Sequence, residues 1–129
     1  MNRYLLDTHT ALFWWAGARR LGEAARETIS RDDSVLFVST ASAWEIATKY
    51  RIGKLADIGD PTATVPGLMQ RNEFKSLAIT DAHALHAGSL PGKHGDPFDR
   101  IIAAQALLED LTVLTHDPEI AAFGCKVMW

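Results

Sequence analysis

Four acidic side chains, Asp7, Glu45, Asp99 and Asp117, each stand where an apolar strand-like run gives way to a helix-like run. The local strings are RYLLDTHTAL, VLFVSTASAWEIATK, GDPFDRIIAAQALL and LTVLTHDPEI. In a parallel α/β sheet the strand-to-helix junctions share one edge, so acids far apart in sequence would meet in one basin. Two carboxylates about 4 Å apart repel by roughly 4 kcal/mol at an effective dielectric of about 20. Several such pairs would rival the roughly 5–15 kcal/mol that keeps a domain folded. A hard divalent cation with oxygen ligands, Mg²⁺ or Mn²⁺, would offset the repulsion. Its characteristic chemistry is to acidify a bound water into a nucleophile.

Each acid alone has a plainer explanation. Asp7 is placed to cap the helix that follows it, and Asp117-Pro118 has the cap-plus-proline pattern. In Asp96-Pro97-Phe98-Asp99, Asp96 is the natural cap and Asp99 the third-position acid of a capping box. Ser42-Ala43-Trp44-Glu45 has the same S-x-x-E form. Capping does not require the acids to come from junctions on one edge of a sheet; a metal site does. The set therefore favours metal.

The elements that must position these acids alternate along the chain. Strand-like runs cover Arg3–Leu6, Val35–Ser39, Lys75–Ile79, Thr112–Thr115 and Lys126–Met128. Helix-like segments cover Thr8–Trp15, Gly22–Arg31, Ala41–Arg51, roughly Thr64–Arg71, Ala82–Ala87 and Pro97–Glu109, with a short turn after Pro118. This alternation predicts right-handed crossovers and a mainly parallel α/β sheet covered on both faces. The Gly- and Pro-rich stretch Ile52–Gly67 reads as a surface loop, and residues 91–97 as a second loop feeding PFDRIIAAQALLE. That last helix is apolar on most of its circumference and is expected to be buried.

With 129 residues, 47% of them hydrophobic, the chain has the length and composition of one globular domain spanning residues 1–129. Its net charge of −3 gives no global basic field, but the balance turns slightly positive once the four acids are neutralised. Basic residues lie near the acids in sequence: Lys49, Arg51 and Lys54 after Glu45, then Lys93 and His94 before Asp99, and Arg100 after it. A single cysteine, Cys125, excludes an intrachain disulfide and a cysteine-rich zinc motif. ALFWWAGA is too short and too closely preceded by Asp7 and His9 for a signal-peptide core, and no run approaches the ~20 apolar residues that span a bilayer. A soluble, cytoplasmic protein is expected.

Several side chains have a role open to either reading. His94 and Arg100 are candidates for phosphate contact, and Thr8 and Thr115 for donors that steady neighbouring carboxylates. His83 and His86 lack an H-E-x-x-H context and read as packing or surface residues. Of the adjacent Trp14 and Trp15, one should enter the core and the other face a partner; Trp44 reads as core.

The strings LLDTHTALFWW, VSTASAWEIATKYRIGKL, HGDPFDRIIAAQA and LTVLTHD together resemble PIN-domain ribonucleases, and within them the VapC-type toxins of bacterial toxin–antitoxin pairs. The resemblance implies a three-layer α/β/α fold around a sheet of about five strands. It matches Asp7, Glu45, Asp99 and Asp117 to the family's metal-binding catalytic acids and leaves Asp96 as a supporting residue. It further implies Mg²⁺- or Mn²⁺-dependent endoribonuclease activity, a homodimer, and a small antitoxin that occludes the site, with docking ground near Trp14, Trp15 and the loop Ile52–Gly67. Two other readings are weaker. A phospho-receiver domain should carry paired acids after its first strand, where Asp7 stands alone. A PIN-like module that binds RNA or protein without cutting has no need of all four acids.

Overall fold

Period-two alternation in the strands decides the architecture. In the computed structural model, which describes residues 2–55 and 58–129, the chain runs β1 (Arg3–Leu6), α1 (Thr8–Ala16), α2 (Glu23–Ser30), β2 (Val35–Ser39), α3 (Thr40–Arg51) and α4 (Pro61–Arg71). It continues through β3 (Lys75–Leu77), α5 (Asp81–Ser89), α6 (Pro97–Glu109), β4 (Thr112–Leu114), α7 (Pro118–Ala122) and β5 (Val127–Met128). The strands form one wholly parallel sheet in the order β3-β2-β1-β4-β5. Leu6, Leu36, Val38 and Leu114 point to one face, where α1, α2 and α4 pack. Leu5, Phe37 and Val113 point to the other, against Ile102 and Ala106 of α6 and Ile120 of α7. The result is the expected three-layer α/β/α arrangement.

Local signals account for most element ends. Asp7, Asp60, Asp96 and Asp117 all cap helices through their side chains, the last three followed by proline at the first helical position. Gly17 ends α1 in the left-handed conformation (φ 65°). Gly22, opening α2, is fixed by space: a Cβ there would lie 2.4 Å from the Trp129 carbonyl carbon.

Four expectations need correction. The stretch Ile52–Gly67 is not loop throughout, because α4 already begins at Pro61 behind the Asp60 cap and continues through Pro66. Proline-rich composition points to a loop, but Pro61 in the first turn forfeits no hydrogen bond, and α4 tolerates Pro66 in its interior at the loss of the one bond its N–H would give the Thr62 carbonyl. (Residues 56 and 57 of that stretch lie outside the described residues.) The third strand stops at Leu77 rather than Ile79, and the Gln105 side-chain amide donates to the Leu77 and Ala78 carbonyls at 3.3 Å each. Trp44 is 62% exposed, its ring set edge-on against Phe98, because α3 buries Ala41, Ser42, Glu45 and Ile46 instead.

Trp14 and Trp15 both pack half-buried against the first core rather than dividing between core and surface. Trp14 Nε1 donates to Asn72 Oδ1 at 3.0 Å. His83 is buried and completes a capping box: its Nδ1 accepts from the Thr80 N–H at 3.0 Å, so the proton sits on Nε2, 3.0 Å from Glu109 Oε2. Among the described residues no helix is long and apolar enough to cross a membrane.

Cys125 packs against Ala103 of α6, and burial pushes its thiol up to about 11 from an ordinary 9.0. Only the thiolate alkylates. Iodoacetamide at pH 8 should therefore modify the folded chain about a hundredfold more slowly than the urea-unfolded chain, as followed by intact mass.

Candidate active site

The chain builds β1, β2 and β3 outward in one direction, then places β4 and β5 on the other side of β1. That reversal leaves a crevice at the carboxyl ends of β1 and β4, the usual ligand position in open α/β sheets. Asp7 follows β1 directly, and Asp117 lies three residues beyond β4. Both line one cleft of about 400 Å³, together with His9, Arg20, His116 and Trp129.

Asp7 is only 7% exposed, a position a carboxylate tolerates only when its oxygens are satisfied. Oδ1 accepts from the Thr10 backbone N–H at 2.9 Å and lies 2.9 Å from the Thr10 hydroxyl; Oδ2 accepts from the Thr115 hydroxyl. Thr115 in turn accepts from the Asp117 N–H at 3.0 Å, joining the ends of β1 and β4. Capping and placement in the crevice are therefore one arrangement at Asp7.

Glu45 is 6% exposed, in the second turn of α3. The capping-box expectation for Ser42–Glu45 is overturned: Ser39 is the cap, and the Ser42 hydroxyl meets that of Thr8 at 2.8 Å. Thr8 thus touches a hydroxyl and not a carboxylate. Glu45 is free of the backbone and pairs with Lys49 Nζ at 2.9 Å, which reaches on to His9 Nε2 at 3.5 Å.

Asp99 lies in the first turn of α6. Asp96 caps that helix, accepting from the Phe98 and Asp99 N–H groups, so the Asp99 carboxylate is left to face His94, whose Nε2 lies 2.8 Å from Oδ2. Burial pushes the Asp99 carboxyl above the ordinary carboxylate range. The His94 hydrogen bond opposes that shift, and the negative charges of Asp96, Asp117 and Glu45 reinforce it. His94 is raised from 6.5 mainly by its hydrogen bond to Asp99, with burial opposing and the charges of Asp99, Glu119 and Asp96 assisting. Residues from its own loop and from two distant segments thus act on one carboxyl group.

Arg100 does not extend toward a phosphate. Its Nε donates to the Ala87 carbonyl at 2.9 Å, Nη1 to the His94 carbonyl at 2.8 Å and Nη2 to the Leu90 carbonyl, while the guanidinium lies 5.3 Å from the Phe123 ring centroid. The phosphate-contact expectation for Arg100 is corrected: it fastens the loop that carries His94. His94 likewise faces acids, with Glu119 Oε2 3.7 Å from Nδ1.

The donor set consists of hard carboxylate oxygens on one sheet edge, which suits Mg²⁺ or Mn²⁺ and no soft metal. Each carboxylate already has a protein partner, and among the described residues no three Asp, Glu, His or Cys side chains stand close enough to hold one ion together. His94 engages only Oδ2 of Asp99 and Lys49 only Oε2 of Glu45, so each carboxylate keeps a second oxygen outside these pairs. Sequence reasoning named Lys49 only as a nearby cation and Ser42 only as a cap, and it missed Thr10. The Glu45–Lys49 spacing of four on a helix was a usable signal for the first.

A PIN domain family pattern matches residues 4–124. Ribonuclease VapC22 of Mycobacterium tuberculosis is 33% identical over 119 residues, covering 91% of this chain and 88% of that protein. Ribonuclease VapC16 of the same organism is 41% identical over 51 residues, 40% of this chain and 36% of its own length. Among solved structures, DNA-bound VapBC from Salmonella typhimurium superposes with a TM-score of 0.72 at 24% identity, covering 99% of this chain and 98% of that one. VapBC2 from Rickettsia felis, bound to a fragment of its promoter DNA, gives 0.70 at 13% identity over 98% and 97%. At those identities the two structures speak for the fold.

Proposed function

The chain belongs to the PIN-domain family, among ribonucleases of the VapC type, and from that premise we propose that it is a metal-dependent endoribonuclease acting as the toxin of a toxin–antitoxin pair. One observation carries the reading: Asp7 and Asp117, from the ends of neighbouring strands, line one cleft, and Asp99 at the head of α6 lies near enough to Asp117 and Glu45 for their charges to add to its raised pKa. An acid cluster of this kind is unfavourable for folding alone and useful for holding a cation against a phosphodiester.

Asp7, Glu45, Asp99 and Asp117 would hold Mg²⁺ or Mn²⁺. When bound, the metal supplies Lewis acidity and a water acidified toward neutral pH. The chain's own residues do the remaining positioning. Thr10 and Thr115 fix both oxygens of Asp7, so its carboxylate does not rotate away from the crevice. His94 holds Asp99 from one side and leaves the other oxygen to the basin. Lys49 limits the repulsion of Glu45 against the remaining acids. Water as nucleophile leaves 5′-phosphate and 3′-hydroxyl ends without using the RNA 2′-hydroxyl.

We further assign a homodimer and a cognate antitoxin that covers the basin with a cation. Incubating the purified chain with single-stranded RNA and Mg²⁺ should give internal cuts bearing 5′-phosphates. EDTA should suppress them, and so should co-purification with the product of an adjacent short gene. Metal-independent cuts ending in 2′,3′-cyclic phosphate would refute the mechanism. A mass in solution of one chain would refute the dimer.

A further inference from the structure

The cleft holding Asp7 and Asp117 does not end at the acids. It shares His9, Phe13 and Arg20 with a second groove of about 400 Å³ that also takes in Lys49, Lys54 and Leu55. Among the described residues no acidic side chain lines this second groove. In a chain of net charge −3 it is a local concentration of positive charge. Lys49 is tied to Glu45, whereas Arg20 and Lys54 have no carboxylate partner among the described residues. Arg20 is nonetheless held in place, its guanidinium 4.5 Å over the Phe13 ring. A cation parked on an aromatic face loses less rotamer freedom when it binds an anion.

A polyanion entering a basin of four carboxylates is repelled unless cations flank its path, and this groove is the flank. Leu12 and Leu55 give it an apolar lining between the cations. Apolar contact of this kind favours the exposed base faces of an unpaired strand, whereas a duplex would meet only the cations of the groove through its phosphates. Resting on the ribonuclease reading above, we infer that this groove carries the RNA strand away from the acidic basin as an unpaired segment, with Arg20 and Lys54 binding phosphates beyond the cleaved one.

The test is binding of a short fluorescein-labelled polyuridylate to the full chain carrying Asp99→Asn, which keeps the probe intact, measured by anisotropy over a range of salt. Each lost phosphate contact lowers the slope of log K against log salt by about 0.7 for single strands, so Arg20→Gln with Lys54→Gln should lower it by about 1.4 and weaken binding. Lys126→Gln removes one positive charge from the opposite sheet edge, where Lys126 faces Asp110, and should leave the slope unchanged, against a fall of about 0.7 for either groove substitution alone. The same strand annealed to its complement should bind more weakly than the free strand. An unchanged slope in the double variant, or equal loss with Lys126→Gln, overturns the assignment; groove substitutions that weaken only a protein partner do so too. Cleavage by the unmodified chain is scored separately. RNA held in the groove but never cut would refute the ribonuclease reading and leave the groove standing, whereas cutting with an unchanged slope would do the reverse.

Discussion

Asp99→Asn should abolish RNA cleavage, by on the order of 10³-fold, while the thermal midpoint at pH 8 stays level or rises. The two halves have one cause. The folded-state pKa of Asp99 is raised, first by burial and then by neighbouring acids, so the folded chain binds this proton more tightly than the unfolded chain. Stability linked to the group is therefore greatest below the ordinary value of 3.8 and is lost as pH rises through the folded value. At pH 8 the ionised carboxylate opposes folding. Asparagine removes that charge, keeps an oxygen that accepts from His94, and cannot serve as an anionic metal ligand. His94 is raised in the same sense, so its stabilising contribution is complete below 6.5 and disappears as pH climbs through its folded value. Asparagine offers His94 a neutral acceptor in place of a carboxylate, which weakens the hydrogen bond that chiefly raises its pKa and removes the assisting Asp99 charge, so the His94 ring resonances should titrate closer to 6.5 in the variant. Cleavage assays, calorimetry at pH 8 and imidazole NMR check the three parts. A variant that cuts RNA at the unmodified rate would remove Asp99 from the reaction. One that loses several degrees would show that Asp99 stabilises the fold, contrary to its raised pKa.

The sheet and its four acids were legible because local and global signals agree there. Asp7 and Asp117 cap helices and also occupy the crevice, so the pattern that placed them served either explanation. Glu45 and Asp99 were legible as acids but not as conformers. Whether each returned to its own backbone depended on which residue capped the helix, and Ser39 and Asp96 took that role. Trp44 was misplaced because hydrophobicity ranks residues without choosing a helix face. On α3 the buried face carries Ser42 and Glu45 while the tryptophan stays outside. Such an inversion is what a functional site does to ordinary patterning. The roles of His94 and Arg100 depend on the path of a Gly- and Pro-containing loop, and no sequence period encodes that path.

Arg100→Lys should cost about 2–4 kcal/mol of stability, since a lysine retains the charge but not the fork that reaches three carbonyls. Those carbonyls belong to Ala87 and Leu90, at the end of α5, and to His94 itself. The guanidinium thus ties the end of one helix to the loop entering the next, and it fixes the backbone of the residue whose ring meets Asp99 at 2.8 Å. Arg100 is therefore a positioning residue that acts through His94. Its loss should lower kcat roughly tenfold with KM little changed, because the groove contacts remain. His94→Gln should lower kcat similarly without the stability penalty, and the double variant should be no slower than the slower single one. Residues acting through the same contact are non-additive, whereas independent ones multiply. Urea midpoints and single-turnover cleavage measure both sides of this cycle. Multiplying losses would make Arg100 a general brace of the α5–α6 corner. Saturation at the single-variant level would place it in the chain of contacts that aims Asp99.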